Sequence, residues 1–378
     1  MPLPSGFRVG GVTAGIKPSG NPDLALFVSD TPCPAHGVFT RNRVFGAPVG
    51  WSRSRLPRQT ARAVLINSGN ANACTGPEGE EHCARMAAAA AAAIGCEADD
   101  VLVCSTGIIG QPLPIDRITA AVPSLVDSLG TTDSHIDAAA RAMMTTDTQP
   151  KVHHTAHGVG FAKGAAMIAP NMGTMLAVLL AEADPASLPA AVDETFNRIS
   201  IDGHTSTSDS VIALSRPGDG SLAELCRPLA EMIVLDGEGA GHFVEVLVSG
   251  LEPPAADRVA RTVAGDALVK TAITGNDPNW GRIVSCAGWS GVDFDPGRLQ
   301  LRINGVTVFD GQPTETDEAA LSESMRTTRP ASEYADRFGP RGGVTLELRF
   351  DGIAKDPLRF LTTDLSQEYV RLNSEYTT

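Results

Sequence analysis

Short apolar runs recur along this chain, and several meet steps rich in glycine and hydroxyl side chains. Met175 to Leu180 follows Gly173-Thr174, Val101 to Cys104 leads into Ser105-Thr106-Gly107, and Ala63 to Asn67 reads AVLIN. Runs of this length and make-up are strands of the buried type. Between Asn67 and Val101, Glu78 to Ile94 reads as a helix, with acidic residues in its first turn and Gly95 at its C-terminal cap. Asp137 to Met144 and Pro185 to Phe196 read as helices as well.

The later part is richer in strands. Leu299, Leu301 and Ile303 alternate with polar residues, Asn304-Gly305 supplies a type I′ turn, and Val306 to Phe309 returns as a hairpin. His242 to Ser249 reads as a strand, and Val344, Leu346, Leu348 and Phe350 alternate before the turn at Asp351-Gly352. Helices are expected at Ser221 to Leu235 and at Pro254 to Val269. The mixture is α+β with antiparallel pairs, not a regular βαβ array. Pro253-Pro254, soon after Gly250, reads as a linker, with a smaller C-terminal lobe starting near residue 250.

At 378 residues, 42% hydrophobic and 20% charged, the chain has the make-up of a soluble globular protein of one large domain or two. A net charge of −14 argues against a nucleic-acid partner, which would select a basic stripe. There is no basic N-terminal segment leading into a long apolar run, and no stretch of about 18 apolar residues, so neither secretion nor a membrane span is expected. A cytoplasmic enzyme fits these bounds. Seven scattered cysteines with no C-x-x-C pair read as small buried hydrophobes in a reducing compartment. His153, His154 and His157 lack carboxylate or cysteine partners at ligand spacing, so they read as a solvated loop and no metal is expected.

Some polar steps carry possible chemistry. On its own segment Gly173-Thr174 is a glycine turn entering a core strand. If the bond before Thr174 is cut, however, that residue holds a hydroxyl nucleophile beside its own α-amino base. A strand ending at Thr106-Gly107 can aim a hydroxyl and a backbone N–H at one point, as an oxyanion hole requires; alone, Ser-Thr-Gly is an ordinary turn. Met144-Thr145-Thr146-Asp147-Thr148 reads as a capping turn. Asp236-Gly237-Glu238-Gly239 puts a carboxylate between glycines, and Asn276 to Arg282 is a polar loop that reads as a turn anchored by Trp280.

Together these segments resemble the ornithine acetyltransferases, which belong with the self-cleaving N-terminal-nucleophile enzymes of the arginine pathway. The matching segments are Gly11 to Lys17, Asn67 to Ala73, Ser105 to Gly110, Met144 to Asp147, Lys163 to Leu176, Asp236 to Gly239, Asp277 to Arg282, and Tyr369-Val370 to Asn373 with Tyr376-Thr377-Thr378. They span the chain in order, and the ordered set is far more specific than any member. The resemblance implies layered sheets and helices of the N-terminal-nucleophile type.

It also implies roles. Thr174 would be the nucleophile, freed by cleavage of the Gly173–Thr174 bond into an alpha fragment, 1–173, and a beta fragment, 174–378. Thr106 and Gly107 would form the oxyanion hole, and Thr145, Lys163, Thr174, Glu238, Asn373 and Thr378 would contact substrate. Acetyl would pass from N2-acetylornithine to glutamate with no cofactor, acetyl-CoA standing as an alternative donor, in a heterotetramer of two alpha and two beta fragments. An amino-acid substrate needs both signs of charge, so Glu238 can pair with its ammonium, while Lys163 can face its carboxylate or stabilise the cleavage intermediate.

The chain departs from the family at Gly173, usually alanine, and at Ala240-Gly241-His242, where Ala-Thr-Lys is usual. The competing readings keep the fold with another donor or acceptor, or retain it in a non-catalytic binding protein.

Overall fold

The computed structural model describes residues 3–169, 175–351 and 356–375. Gly173, Thr174 and Thr378 lie outside these residues. Fourteen strands are present among the described residues. They are β1 (Phe7–Val12), β2 (Leu24–Phe39), β3 (Arg58–Asn70), β4 (Val101–Ile108), β5 (Lys151–Thr155), β6 (Gly158–Lys163) and β7 (Leu176–Ala183), then β8 (Ile199–Ser200), β9 (Ser210–Gly220), β10 (His242–Ser249), β11 (Gln300–Ile303), β12 (Val306–Asp310), β13 (Gly342–Arg349) and β14 (Leu358–Thr363). The helices are α1 (Ala47–Arg53), α2 (Gly76–Ile94), α3 (Ile115–Asp127), α4 (Asp133–Met143), α5 (Leu188–Glu194), α6 (Leu222–Leu235), α7 (Pro253–Gly265), α8 (Ala267–Thr274), α9 (Trp280–Trp289), α10 (Glu318–Thr327) and α11 (Gln367–Glu375).

Two compact units divide the chain. Among the described residues, the first holds those up to Asn197 with His204–Ile233, and the second holds Arg198–Gly203 and those from Val234 to Glu375. In the first, one sheet runs β4-β3-β2-β9-β7-β6-β5, with β1 also on β2. Its strands are apolar on both faces because both faces are covered. Val64 and Ile66 join the cluster that includes Ile136, Ala139 and Met143 of α4, while Ala63 and Leu65 join one built with Met86 of α2 and Ile118 and Val122 of α3. Side chains alternate across a strand, so AVLI must be unbroken to feed both cores. β7 lies between β6 and β9, and Leu176 to Ala181 are all buried.

The second unit has a sheet in the order β12-β11-β13-β10-β14-β8. Here one strand face feeds a core with helices: Val244, Val246 and Val248 of β10 and Leu346 and Leu348 of β13 pack with Val259 and Val263 of α7. Glu245 lies on the opposite face and pairs with Arg359 at 2.6 Å. Asn304 and Gly305 have φ of 45° and 80°, as a type I′ turn demands, and join β11 to β12. The mixed α+β layering matches the sequence reading.

Several local expectations need correction. Pro253-Pro254 is no linker: it starts α7, because proline's fixed φ suits a first helical turn whose N–H groups have no partner. The unit boundary falls at Val234, so β10 belongs to the second unit instead of preceding a lobe near residue 250. The helix expected from Pro254 to Val269 is two, since the Asp266 side chain accepts from Val269 N at 2.9 Å and caps α8. Pro185 to Phe196 likewise breaks into a 3-10 turn and α5, and α4 starts at Asp133, earlier than Asp137. His153 and His154 sit in strand β5 and His157 in its hairpin turn, not in a solvated loop.

Candidate active site

The Ser105-Thr106-Gly107 step does not turn the chain. β4 continues through it, pairing in parallel with β3 so that Ser68 faces Thr106 and Gly69 faces Gly107. The register shifts between Gly69 and Asn70. Gly107 has φ of 132°, and a Cβ on it would lie 2.3 Å from the Gly69 carbonyl carbon. Only glycine fits, in conformation and in space. The neighbouring polar groups are tied down: Asn67 Nδ2 donates to Asn70 O at 2.9 Å and Ser68 Oγ to Ala142 O of α4 at 2.6 Å. Cys104 is buried in the core, where desolvation pushes its thiol up to about 12, so it packs and does not react.

Lys163 ends β6, pairs across the ladder with Leu176 at the start of β7, and is 8% exposed. Its Nζ donates to Thr106 Oγ1 at 3.2 Å. Two predicted residues from distant parts of the sequence therefore meet in the first unit.

The residue that organises this corner is one the sequence reading treated as a cap. Asp147 is buried, and its Oδ1 accepts from Lys151 Nζ at 2.6 Å and Gly164 N at 2.6 Å. Its Oδ2 accepts from Thr145 N at 3.0 Å. Burial alone would raise this carboxyl, but Lys151, Lys163 and the Gly164 N–H outweigh it and hold the group well below the usual carboxylate range. Asp147 thus positions Thr145 on one side and the chain leaving Lys163 on the other.

A second buried carboxylate does similar work. Asp23 accepts from Ala14 N at 2.6 Å, Ile16 N at 2.6 Å and Lys17 N at 3.0 Å, shaping the loop that carries Lys17. Desolvation lowers Lys17 to about 8, with Asp23 opposing and Lys163 assisting. Asp147 closes the Met144 to Asp147 segment, which reads as a cap, and Asp23 belongs to no motif. The available signals were an Asp–Lys pair four apart beside a strand start, and an aspartate two residues past Asn21.

In the second unit the Asp236–Gly239 turn follows α6 and carries Glu238. Asn373 Nδ2, on α11, donates to Glu238 Oε2 at 3.1 Å, so these two predicted residues also meet. Gly239 (φ 62°) allows the approach, because a Cβ there would lie 2.4 Å from Tyr369 N. Tyr369 in turn donates its hydroxyl to Asp202 Oδ2 at 3.2 Å. Arg341 clamps the turn from its other side by donating to the carbonyls of Gly237 and Ala240, and Asp364 accepts from Gly241 N at 2.9 Å. Glu238 Oε1 is buried and has no hydrogen-bond partner among the described residues. A buried orphan carboxylate oxygen is a cost that a cationic donor would remove.

His242 stands where the resembled family has lysine. Its Nδ1 is 2.8 Å from Asp364 Oδ2 and its Nε2 3.0 Å from Asn276 Oδ1, and it is nearly buried. Desolvation works against charging it, but the bonds to Asp364 and Asn276 prevail and raise its pKa. Trp280 stacks on Phe309 at 5.6 Å, and Asn279 caps α9 by accepting from Arg282 N, so that loop is structural. Among the described residues no three His, Cys, Asp or Glu side chains group as a metal site.

The ArgJ family model matches residues 8–378. The "Arginine biosynthesis bifunctional protein ArgJ" of Rhodopirellula baltica is 44% identical, over 100% of this chain and 96% of that protein. Its namesake from Gloeobacter violaceus is 42% identical over 99% and 96%. Among solved structures, an ornithine acetyltransferase from Mycobacterium tuberculosis complexed with ornithine is 43% identical, covering 46% of this chain and 93% of that chain with a TM-score of 0.42. Matched over nearly its whole length by the family model and by the Rhodopirellula baltica and Gloeobacter violaceus proteins, the chain is an enzyme of the ArgJ family.

Proposed function

We propose that this enzyme of arginine biosynthesis cuts itself between Gly173 and Thr174, and that the freed Thr174 carries acetyl from N2-acetylornithine to glutamate. In maturation, Thr174 Oγ attacks the Gly173 carbonyl and the scissile C–N bond breaks, leaving an ester and a free α-amino group. Water then hydrolyses the ester, giving a Gly173 carboxylate and a restored hydroxyl.

In turnover the α-amino group of Thr174 takes the hydroxyl proton as Oγ attacks the acetyl carbon. Such amines titrate near ~7.7–8.0, which suits a general base at neutral pH. Ornithine leaves with that proton on its α-amine. The amine of glutamate then attacks the acetyl ester, the Thr174 hydroxyl reforms, and N-acetylglutamate leaves. Thr106 and Gly107 stabilise the oxyanion in each step, and Lys163, bonded to the Thr106 hydroxyl, brings positive charge to it. Thr145 and Thr378 line the substrate, and no cofactor is required because the acyl-enzyme stores the group. Acetyl-CoA stands as the alternative acetyl donor, and the relatives from Rhodopirellula baltica and Gloeobacter violaceus are named bifunctional.

The observation that carries this reading is the orphan Oε1 of Glu238, with Asn373 fixed on the other oxygen. It supports recognition of a substrate ammonium. Intact mass spectrometry of wild type beside Thr174→Ala tests the mechanism. Two wild-type fragments with a new threonine N-terminus, against one uncut variant chain, are expected. A single uncut wild-type chain would refute it. Native mass spectrometry would then show whether two copies of each fragment assemble.

A further inference from the structure

The second unit contains a cavity of about 390 Å³ that includes neither Glu238 nor Asn373 in its lining. Its wall includes Arg326, Arg329, Arg341 and His242, with Asp336 as the one carboxylate. Three guanidinium groups around one hollow stand out in a chain of net charge −14. The volume lies at the low end of small-molecule sites.

Arg326 and Arg329 are held by exposed ion pairs, whereas Arg341 also clamps the turn at Gly237 and Ala240. Arg326 pairs with Glu323, and Arg329 Nη2 lies 2.6 Å from Asp336; both arginine side chains are more than half exposed. Ion pairs this exposed are weak and exchange readily. Arg341 sits deeper, and its two bonds go to the Gly237 and Ala240 carbonyls. Asp236 and Asp364 act on it only through space. Its Nε is buried without a hydrogen-bond partner among the described residues. A guanidinium has five N–H donors, so this one retains unused capacity. His242 has its two ring nitrogens within 2.8 Å of Asp364 Oδ2 and 3.0 Å of Asn276 Oδ1.

We propose that this cavity binds a small anion through carboxylate or phosphate oxygens, held between Arg326, Arg329 and Arg341. The planar guanidinium fork matches both kinds of oxyanion and can grip either bidentately.

The test is calorimetric titration of the full chain with inorganic phosphate and, separately, with succinate. Saturable binding of either ion is expected, weakened about tenfold or more in an Arg326→Gln/Arg329→Gln variant and weakened by added salt. Both positions are at the surface and outside the proposed catalytic set, so the variant should fold and transfer acetyl as wild type does. The two titrants show whether planar or tetrahedral oxyanions are preferred. If neither ion saturates, or if the double variant binds as tightly as wild type, the proposal is overturned. Binding is read without turnover, so its failure is distinct from failure of the Thr174 mechanism.

Discussion

Asp147→Asn tests whether the buried carboxylate organises the first unit. Asp147 and Lys151 side chains are both 0% exposed, with Nζ and Oδ1 2.6 Å apart. Removing one charge from such a pair leaves its partner's charge uncompensated in a low-dielectric interior, typically at about 3–5 kcal/mol. An asparagine has one acceptor oxygen where aspartate uses two. Either the Lys151 and Gly164 donors or the Thr145 N–H must therefore face an NH₂ group. The substitution should then cost at least about 3 kcal/mol, a large part of the ~5–15 kcal/mol that holds a domain together.

The assay is urea unfolding in a Thr174→Ala background, where one uncut chain is expected. Its pH dependence provides a second reading. The folded pKa of Asp147 is depressed, so its stabilisation is present above the unfolded value near ~3.9 and is lost as pH falls toward the folded value. The gap between parent and variant should be full at neutral pH and shrink below about pH 4. A gap under about 1 kcal/mol at neutral pH, comparable to an exposed pair, would refute the buried hub. So would a gap that stays constant through acidification.

Other outcomes follow from the same geometry. Gly107→Ala would place a Cβ 2.3 Å from backbone, so β3 and β4 must separate; we expect a lower Tm and loss of self-cleavage, and intact mass with wild-type processing would count against the tight β3–β4 register. Glu238→Gln keeps the shape but removes the charge offered to an ammonium, so KM for acetylornithine should rise roughly ten- to hundredfold, equivalent to about 1.5–3 kcal/mol for a charged hydrogen bond, with cleavage at Gly173 intact. Arg341→Lys cannot hold the Gly237 and Ala240 carbonyls together; KM should rise while kcat changes little, and a fall in kcat alone would exclude a positioning role. The Lys17 amine should titrate near 8, visible by NMR of labelled lysine, and Asp23→Asn should lower it further by removing the charge that opposes desolvation.

Strand and turn identity was legible locally because neighbours a few residues apart impose it. AVLI alternates into two cores, Gly95 ends α2 with a left-handed φ of 75°, and Asn304-Gly305 turns a hairpin. Thr106 and Glu238 were flagged by their glycine-flanked steps, but their roles, and Lys163 and Asn373 altogether, were named only through an ordered set of short motifs. Tertiary structure decided that β4 runs on past Ser105, because its partner there is Ser68 to Asn70, more than thirty residues earlier. It likewise decided that Asp147 is a hub instead of a cap. A cap depends on the N–H groups of its own turn; Asp147 takes the Thr145 N–H from its own turn but adds Lys151 Nζ and, from beyond β6, the Gly164 N–H. A carboxylate's role is set by the donors that folding brings to it, and the β5–β6 hairpin is what returns Gly164 to Asp147.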